Sequence, residues 1–169
     1  MVSALKINTD LERVGDLAVK IAKVAQRYLR QPPVKPLIDL PRMGELALKM
    51  LREALDAFVS RDVRLAQLVL RQDDWLDAVK DQIFREVLTY MLGDSRTVEP
   101  GIDLILLSRH LERVGDHATN IAEGSQCFII EARDARHRSS PGWSVARPAS
   151  SRRHGTMVER RQSAPRPPI

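Results

Sequence analysis

Two acidic devices of identical wording stand out in the 169-residue sequence. Leu11-Glu12-Arg13-Val14-Gly15-Asp16 recurs as Leu111-Glu112-Arg113-Val114-Gly115-Asp116, and Ala18, Ile21 and Ala22 recur as Ala118, Ile121 and Ala122, at a constant offset of 100 residues. Each copy sets Glu and Asp four residues apart, about 40° around a helix and roughly 6 Å along it, so both carboxylates leave one face. Such a pair repels by a few tenths of a kcal/mol, and a mid-helix glycine costs roughly 1 kcal/mol against alanine. Both costs are taken twice, which points to a cation site or a docking surface; the glycine leaves room for close approach by a metal, an anion or another helix. A further acidic run supplies Asp73, Asp74, Asp77 and Asp81. Asp73 and Asp77 repeat the four-residue spacing, with a plain solvated acidic face as the alternative reading. All-oxygen sets of this kind suit Mg²⁺, Ca²⁺, Mn²⁺ or iron better than a Cys- and His-rich zinc site. His117 follows Asp116, but Leu17 stands in its place in the first copy. It is therefore read as solvated or capping rather than as a ligand.

Helices must carry these residues. Leu11, Val14, Ala18, Ile21, Ala25 and Tyr28 follow a three-four spacing that predicts a helix over 3–30, ended by Gln31-Pro32-Pro33-Val34-Lys35-Pro36, because proline fixes φ and removes a donor. A second helix is expected after Pro41, with Met43, Leu46, Ala47, Met50, Ala54 and Phe58 on one face, breaking near Ser60-Arg61-Asp62. A third spans about 63–92 with Ala66, Leu70, Ile83, Val87 and Met91 inward and Gly93 as the residue after its end. Thr97 and Glu99-Pro100 open a fourth, expected to reach about Ile130, with Leu104, Leu107, Leu111, Val114, Ala118, Ile121 and Ser125 as its core face. On this stripe Glu112 falls at the edge of the packed seam, so the second carboxylate pair should open to a surface groove. This differs from ferritin-like di-iron sites, which project their ligands inward.

Short connections make helices two to four an up-down-up three-helix bundle. The first helix lacks such partners and must dock on the bundle, pair with another chain, or belong to a domain whose other helices are missing. The expected organisation is therefore all-α. Residues 1–31 form the last helix of an incomplete first bundle, 32–41 a Pro-rich linker, and 42–137 a complete three-helix bundle. Residues 138–169 read as a disordered tail rich in Arg, Pro and Ser. Few aromatics, 4% of the chain, argue against a sandwich or barrel.

The net charge of +5 invites a nucleic-acid reading until it is divided along the chain. Residues 133–169 hold 9 Arg and 2 acidic residues, leaving 18 basic and 20 acidic in the first 132. The helical body is mildly acidic, and the tail carries no base-reading motif, so no sequence-specific nucleic-acid binding is assigned. No apolar stretch is long enough to cross a bilayer, no secretory signal precedes the acidic Asp10, Glu12 and Asp16, and the single Cys127 has no intrachain partner. The expected compartment is the cytoplasm.

At the doubled motif the sequence resembles the PhoU family of phosphate-uptake regulators. The resemblance rests on Ala4 to Asp16 and on Leu111 to Glu123, with support from Leu88-Thr89-Tyr90-Met91 and Phe128 to His137. It implies two tandem three-helix bundles, each with an acidic motif, of which the first is here reduced to its last helix. It also implies a cytoplasmic adaptor that restrains phosphate transport and the phosphate-starvation response. Its partners would be the ATPase subunit of a phosphate ABC transporter and a sensor histidine kinase, and it would act as a homodimer. The metals implied are divalent or trivalent ions: iron, zinc, manganese or magnesium. Carried over by position, the ligands are Glu12 and Asp16, Glu112 and Asp116, with Asp73 and Asp77 beside them. A start inside the gene and a frame disruption after about residue 137 are expected from the missing helices and the atypical ending.

No Ser/His/Asp or Cys/His constellation, Gly-rich phosphate loop or HExxH motif is present, so the protein is read as non-catalytic. The competing reading is a carboxylate-ligated metalloenzyme of the helical-bundle type, which the absence of a repeated His counts against.

Overall fold

The structure is a computed structural model that describes residues 2–138. Four helices follow one another: α1 (Val2–Tyr28), α2 (Asp39–Ser60), α3 (Val63–Gly93) and α4 (Val98–Arg138), with a 3-10 turn at Ser95–Thr97 before the last. The stretch expected to be a disordered tail lies outside the described residues.

Local chemistry accounts for the boundaries. Pro32, Pro33 and Pro36 hold the α1–α2 connection out of helix, while Pro41 sits in the first turn of α2 rather than before it, where a missing N–H costs nothing. At the α2–α3 corner Arg61 takes the left-handed conformation (φ 57°), and the Asp62 carboxylate caps α3 by accepting from the N–H groups of Arg64 (2.8 Å) and Leu65 (3.2 Å). Gly93 does not supply the left-handed residue expected after α3. It remains in the helix, and Asp94 in extended conformation ends it, its own carboxylate accepting from Arg96 N–H at 3.0 Å. α4 continues beyond the expected stop near Ile130.

The α2–α4 core matches the predicted faces. Met43, Ala47, Met50 and Ala54 of α2, Ala66, Ile83 and Val87 of α3, and Leu104, Leu107, Val114, Ala118, Ile121 and Ser125 of α4 are buried. Removing these apolar surfaces from water is the main stabilising term of the bundle.

α1 behaves differently. Among the described residues it packs on α4 alone of the helices, antiparallel to it, through Ile7, Asp10, Val14, Leu17, Ile21 and Tyr28. Val14, Ile21 and Tyr28 of the predicted stripe face inward, but Leu11 and Ala18 are exposed. Leu11, Ala18 and Ala22 of the repeat thus point away from the protein while Val14 and Ile21 pack inward, because among the described residues α4 takes the neighbouring face of α1.

A polar clamp fastens α1 at its C-terminal end. Asp103, 1% exposed, pairs with Arg27, whose Nε lies 2.9 and 3.0 Å from the two carboxylate oxygens, and it accepts from Gln31 Nε2 at 3.1 Å. Arg27 is half exposed, but truncating it leaves the buried Asp103 carboxylate with Gln31 alone and no cation, the costly direction of such a change. Arg27→Met is expected to loosen α1 selectively. Hydrogen exchange should show α1 amides losing protection while α2 and α3 keep theirs; uniform protection would show that the clamp does not hold α1.

Candidate functional site

The second acidic motif lies where α3 meets α4. Gly115 makes that contact close: a Cβ at this position would overlap Leu76 Cδ2 of α3 and stand 3.6 Å from Asp73 Oδ1. Missing a side chain at Gly115 therefore brings the α3 carboxylates alongside Glu112 and Asp116. The groove beside them, about 450 Å³, is lined by Lys80, Asp81, Phe84, Ile105, Ser108, Arg109, Glu112, Arg113 and Asp116. The expected opening of Glu112 and Asp116 to a surface groove is what the structure shows.

The electrostatics record the crowding. Burial raises the Asp73 carboxyl above the ordinary Asp range, and the negative charges of Asp116, Asp77, Asp74 and Glu112 push in the same direction. Asp116 is raised likewise, by burial first and then by Glu112 and Asp77, against smaller opposing effects of His117 and Lys80. One resident cation offsets part of this charge. Lys80 Nζ lies 2.9 Å from Asp77 Oδ1, 3.2 Å from Glu112 Oε1 and 4.0 Å from Asp81 Oδ1. Its hydrogen bond to Asp77, aided by that to Glu112, outweighs partial burial and raises its pKa. Lys80 was not singled out from sequence, although its position three residues after Asp77 places both on one helix face.

An acid whose folded pKa is raised contributes most stability below its unfolded pKa, and that contribution is lost as pH rises through the raised value. Asp73→Asn and Asp116→Asn are therefore each expected to raise Tm at pH 7 in chelator, with the gain vanishing as pH falls through and below the range just above an ordinary Asp. A pH series of thermal melts checks this; a loss of Tm at pH 7 would contradict it.

The first motif is placed otherwise. Glu12 and Gly15 are exposed on α1, and nothing lies within 4 Å of a Cβ built on Gly15. Asp16 reaches a second groove, between α1 and α4, lined by both members of four repeat pairs: Arg13 and Arg113, Asp16 and Asp116, Leu17 and His117, and Lys20 and Asn120. The two copies are thus related about the α1–α4 contact, yet Glu12 does not join the carboxylates of α3 and α4. His117, expected to be solvated or capping, is instead largely buried in this contact, with Nδ1 2.9 Å from Asp10 Oδ1. The long-range pairing with Asp10 carries no local sequence signal.

Among the described residues no three Asp, Glu, His or Cys side chains converge as they stand on a point that could hold a metal ion. The donors present nevertheless fit a hard cation chemically: four carboxylates from two helices, two of them made reluctant to ionise by burial and mutual repulsion. The position between Asp77 and Glu112 is taken by an ammonium group.

No helix of the described residues is long and apolar enough to cross a membrane. Residues 40–124, about half of the chain, match the PhoU domain. A phosphate-specific transport system accessory protein PhoU homolog of Xylella fastidiosa is 39% identical over 123 residues, covering 73% of this chain and 52% of that protein. The corresponding homolog of Caulobacter vibrioides is 44% identical over 123 residues, covering 72% of this chain and 54% of that protein. The crystal structure of PhoU from Pseudomonas aeruginosa superposes with a TM-score of 0.72 at 36% identity, covering 78% of this chain and 63% of that one. The chain spans about half the length of the curated relatives it matches. With the domain match, these likenesses and the all-helical bundle in agreement, the chain belongs to the PhoU family.

Proposed function

We propose that the protein is an accessory regulator of phosphate transport, a cytoplasmic adaptor without catalytic activity that restrains uptake and the phosphate-starvation response. In this reading it binds the ATPase subunit of a phosphate ABC transporter and a sensor histidine kinase. Family membership supports the transport role, since the relatives are by name accessory proteins of a phosphate-specific transport system. The observation that carries the site is the concentration of carboxylates at the α3–α4 contact, more than Lys80 alone neutralises, brought together at the close approach of Gly115.

Asp73, Asp77, Glu112 and Asp116 would hold a divalent or trivalent cation such as iron, zinc, manganese or magnesium, once Lys80 gives up its two carboxylates. The bound ion would supply positive charge that cancels the repulsion and fixes the α3–α4 surface for a partner. Glu12 and Asp16 could join only with ligands from outside the described residues. The relatives' names do not favour the metalloenzyme alternative.

The test is capture of a purified ATPase subunit of a phosphate transporter by the 169-residue chain, with Mn²⁺ and with chelator. Capture strengthened by Mn²⁺ and weakened by Glu112→Ala with Asp116→Ala is the expected result. Absence of capture in both conditions overturns the adaptor reading for this chain.

A further inference from the structure

The groove between α1 and α4 gathers positive charge where the α3–α4 contact gathers negative. Arg13 and Lys20 of α1 and Arg113 of α4 line it, together with Asp16, Asp116, His117 and Asn120, around a volume of about 460 Å³. That is room for a small ligand. The cations are not a share of a general excess, since the first 132 residues hold 18 basic and 20 acidic side chains.

Arg13 with Asp16, and Arg113 with Asp116, stand three residues apart on their helices, a spacing at which opposite charges pair. Neither pair closes. Among the described residues none of Arg13, Asp16, Lys20, Arg113 and Asp116 has an ion-pair partner. The cations of the two helices also act together on His110 of α4, whose Nδ1 is buried without a hydrogen-bond partner: burial lowers its pKa first, and Arg113, Lys20 and Arg109 push the same way. Cations from two helices, near one another and unpaired, suit an anion.

The donors and acceptors decide its class. Arg13 and Arg113 offer planar forks that each meet two oxygens of a tetrahedral oxyanion, and Lys20 adds a point charge. Asp16 and Asp116, when ionised, accept hydrogen bonds and repel an anion with no hydrogen to give. Sulfate and a fully ionised phosphate monoester carry none. Inorganic phosphate keeps a P–OH through neutral and mildly alkaline pH, so a carboxylate in the groove accepts from it and disfavours the others.

We propose that Arg13, Lys20 and Arg113 form a site for inorganic phosphate in the α1–α4 groove, with Asp16 and Asp116 selecting it through its P–OH. The inference goes beyond the adaptor reading and uses no cation at the α3–α4 contact. Of the α3–α4 carboxylates, Asp116 alone lines this groove.

Phosphorus NMR of inorganic phosphate titrated with the 169-residue chain, in chelator at mildly alkaline pH, should show saturable broadening with a Kd of about 1 mM. Arg13→Gln with Lys20→Gln, and separately Arg113→Gln, all at exposed positions, should each weaken binding about tenfold or more, with helicity by circular dichroism unchanged. Sulfate and methyl phosphate should fail to displace phosphate from the unaltered chain. Asp16→Asn with Asp116→Asn should let sulfate compete, a change in selectivity that a merely structural role would not produce. The 9 Arg of residues 133–169 are present in every variant, so phosphate binding that the groove variants leave intact is adventitious and overturns the site, as does absence of binding. Displacement by sulfate as readily as by phosphate overturns selection through the P–OH. Chelated samples without a partner protein keep this result separate from the capture experiment.

Discussion

Gly115→Ala is expected to cost the bundle about 1–2 kcal/mol, while Gly15→Ala is expected to add up to about 1 kcal/mol, although the two glycines stand in identical hexapeptides. In both, alanine recovers the helix propensity that glycine forgoes. At Gly15 that gain is unopposed, because a Cβ there meets nothing within 4 Å. At Gly115 the added carbon runs into Cδ2 of Leu76, which is fully buried, so that side chain must shift within the packed α3–α4 contact. Overpacking of this kind costs about 1–3 kcal/mol, which exceeds the propensity gain. Gly115→Val adds β-branching to the same collision and should lose about 3 kcal/mol or more. Chemical denaturation in dilute, chelated samples reads all three. Equal effects of the two alanine variants would show that the α3–α4 approach does not depend on a missing side chain.

The second large effect concerns Lys80. Lys80→Met removes the ammonium that bridges Asp77 and Glu112 while retaining the aliphatic stem. In chelator, Asp77 and Glu112 then lose the cation that bridges them beside Asp73 and Asp116, and Tm should fall. On adding Mn²⁺ the order should reverse. The ion no longer competes with a tethered cation whose local concentration is fixed by the fold, and Mn²⁺ should bind about tenfold tighter than to the unaltered chain, the equivalent of about 1.4 kcal/mol. Metal-induced gain in Tm should therefore be larger in Lys80→Met. If Lys80→Met binds Mn²⁺ more weakly, the lysine supports the site rather than occupying it.

Helix positions were legible in the sequence because periodicity, proline and Asp62 each act over one or two turns. The α2, α3 and α4 faces followed from the same local pattern. What escaped was set by long-range geometry. Leu11 and Ala18 satisfy a helical stripe as well as Ile7 and Leu17 do, and the position of α4, the one helix against α1 among the described residues, decides which face is covered. His117 finds Asp10 107 residues away, and Arg27 finds Asp103 across 76, pairings that no spacing rule contains. The acidic site was legible in its second copy, where Gly115 marks the contact. The first copy, identical in wording, has no α3 equivalent against it among the described residues. Lys80, a lysine among aspartates on a helix, reads as ordinary solvated charge until Glu112 arrives from another helix.

These contrasts converge on the α3–α4 carboxylates as a place built to take positive charge. Calorimetric titration of the 169-residue chain with Mn²⁺ at neutral pH, beside Glu112→Ala with Asp116→Ala, tests this most directly. The account predicts saturable binding to the unaltered chain and its loss in the double variant, whose helicity stays unchanged. Absence of binding to the unaltered chain, or identical titrations of the two proteins, would contradict it.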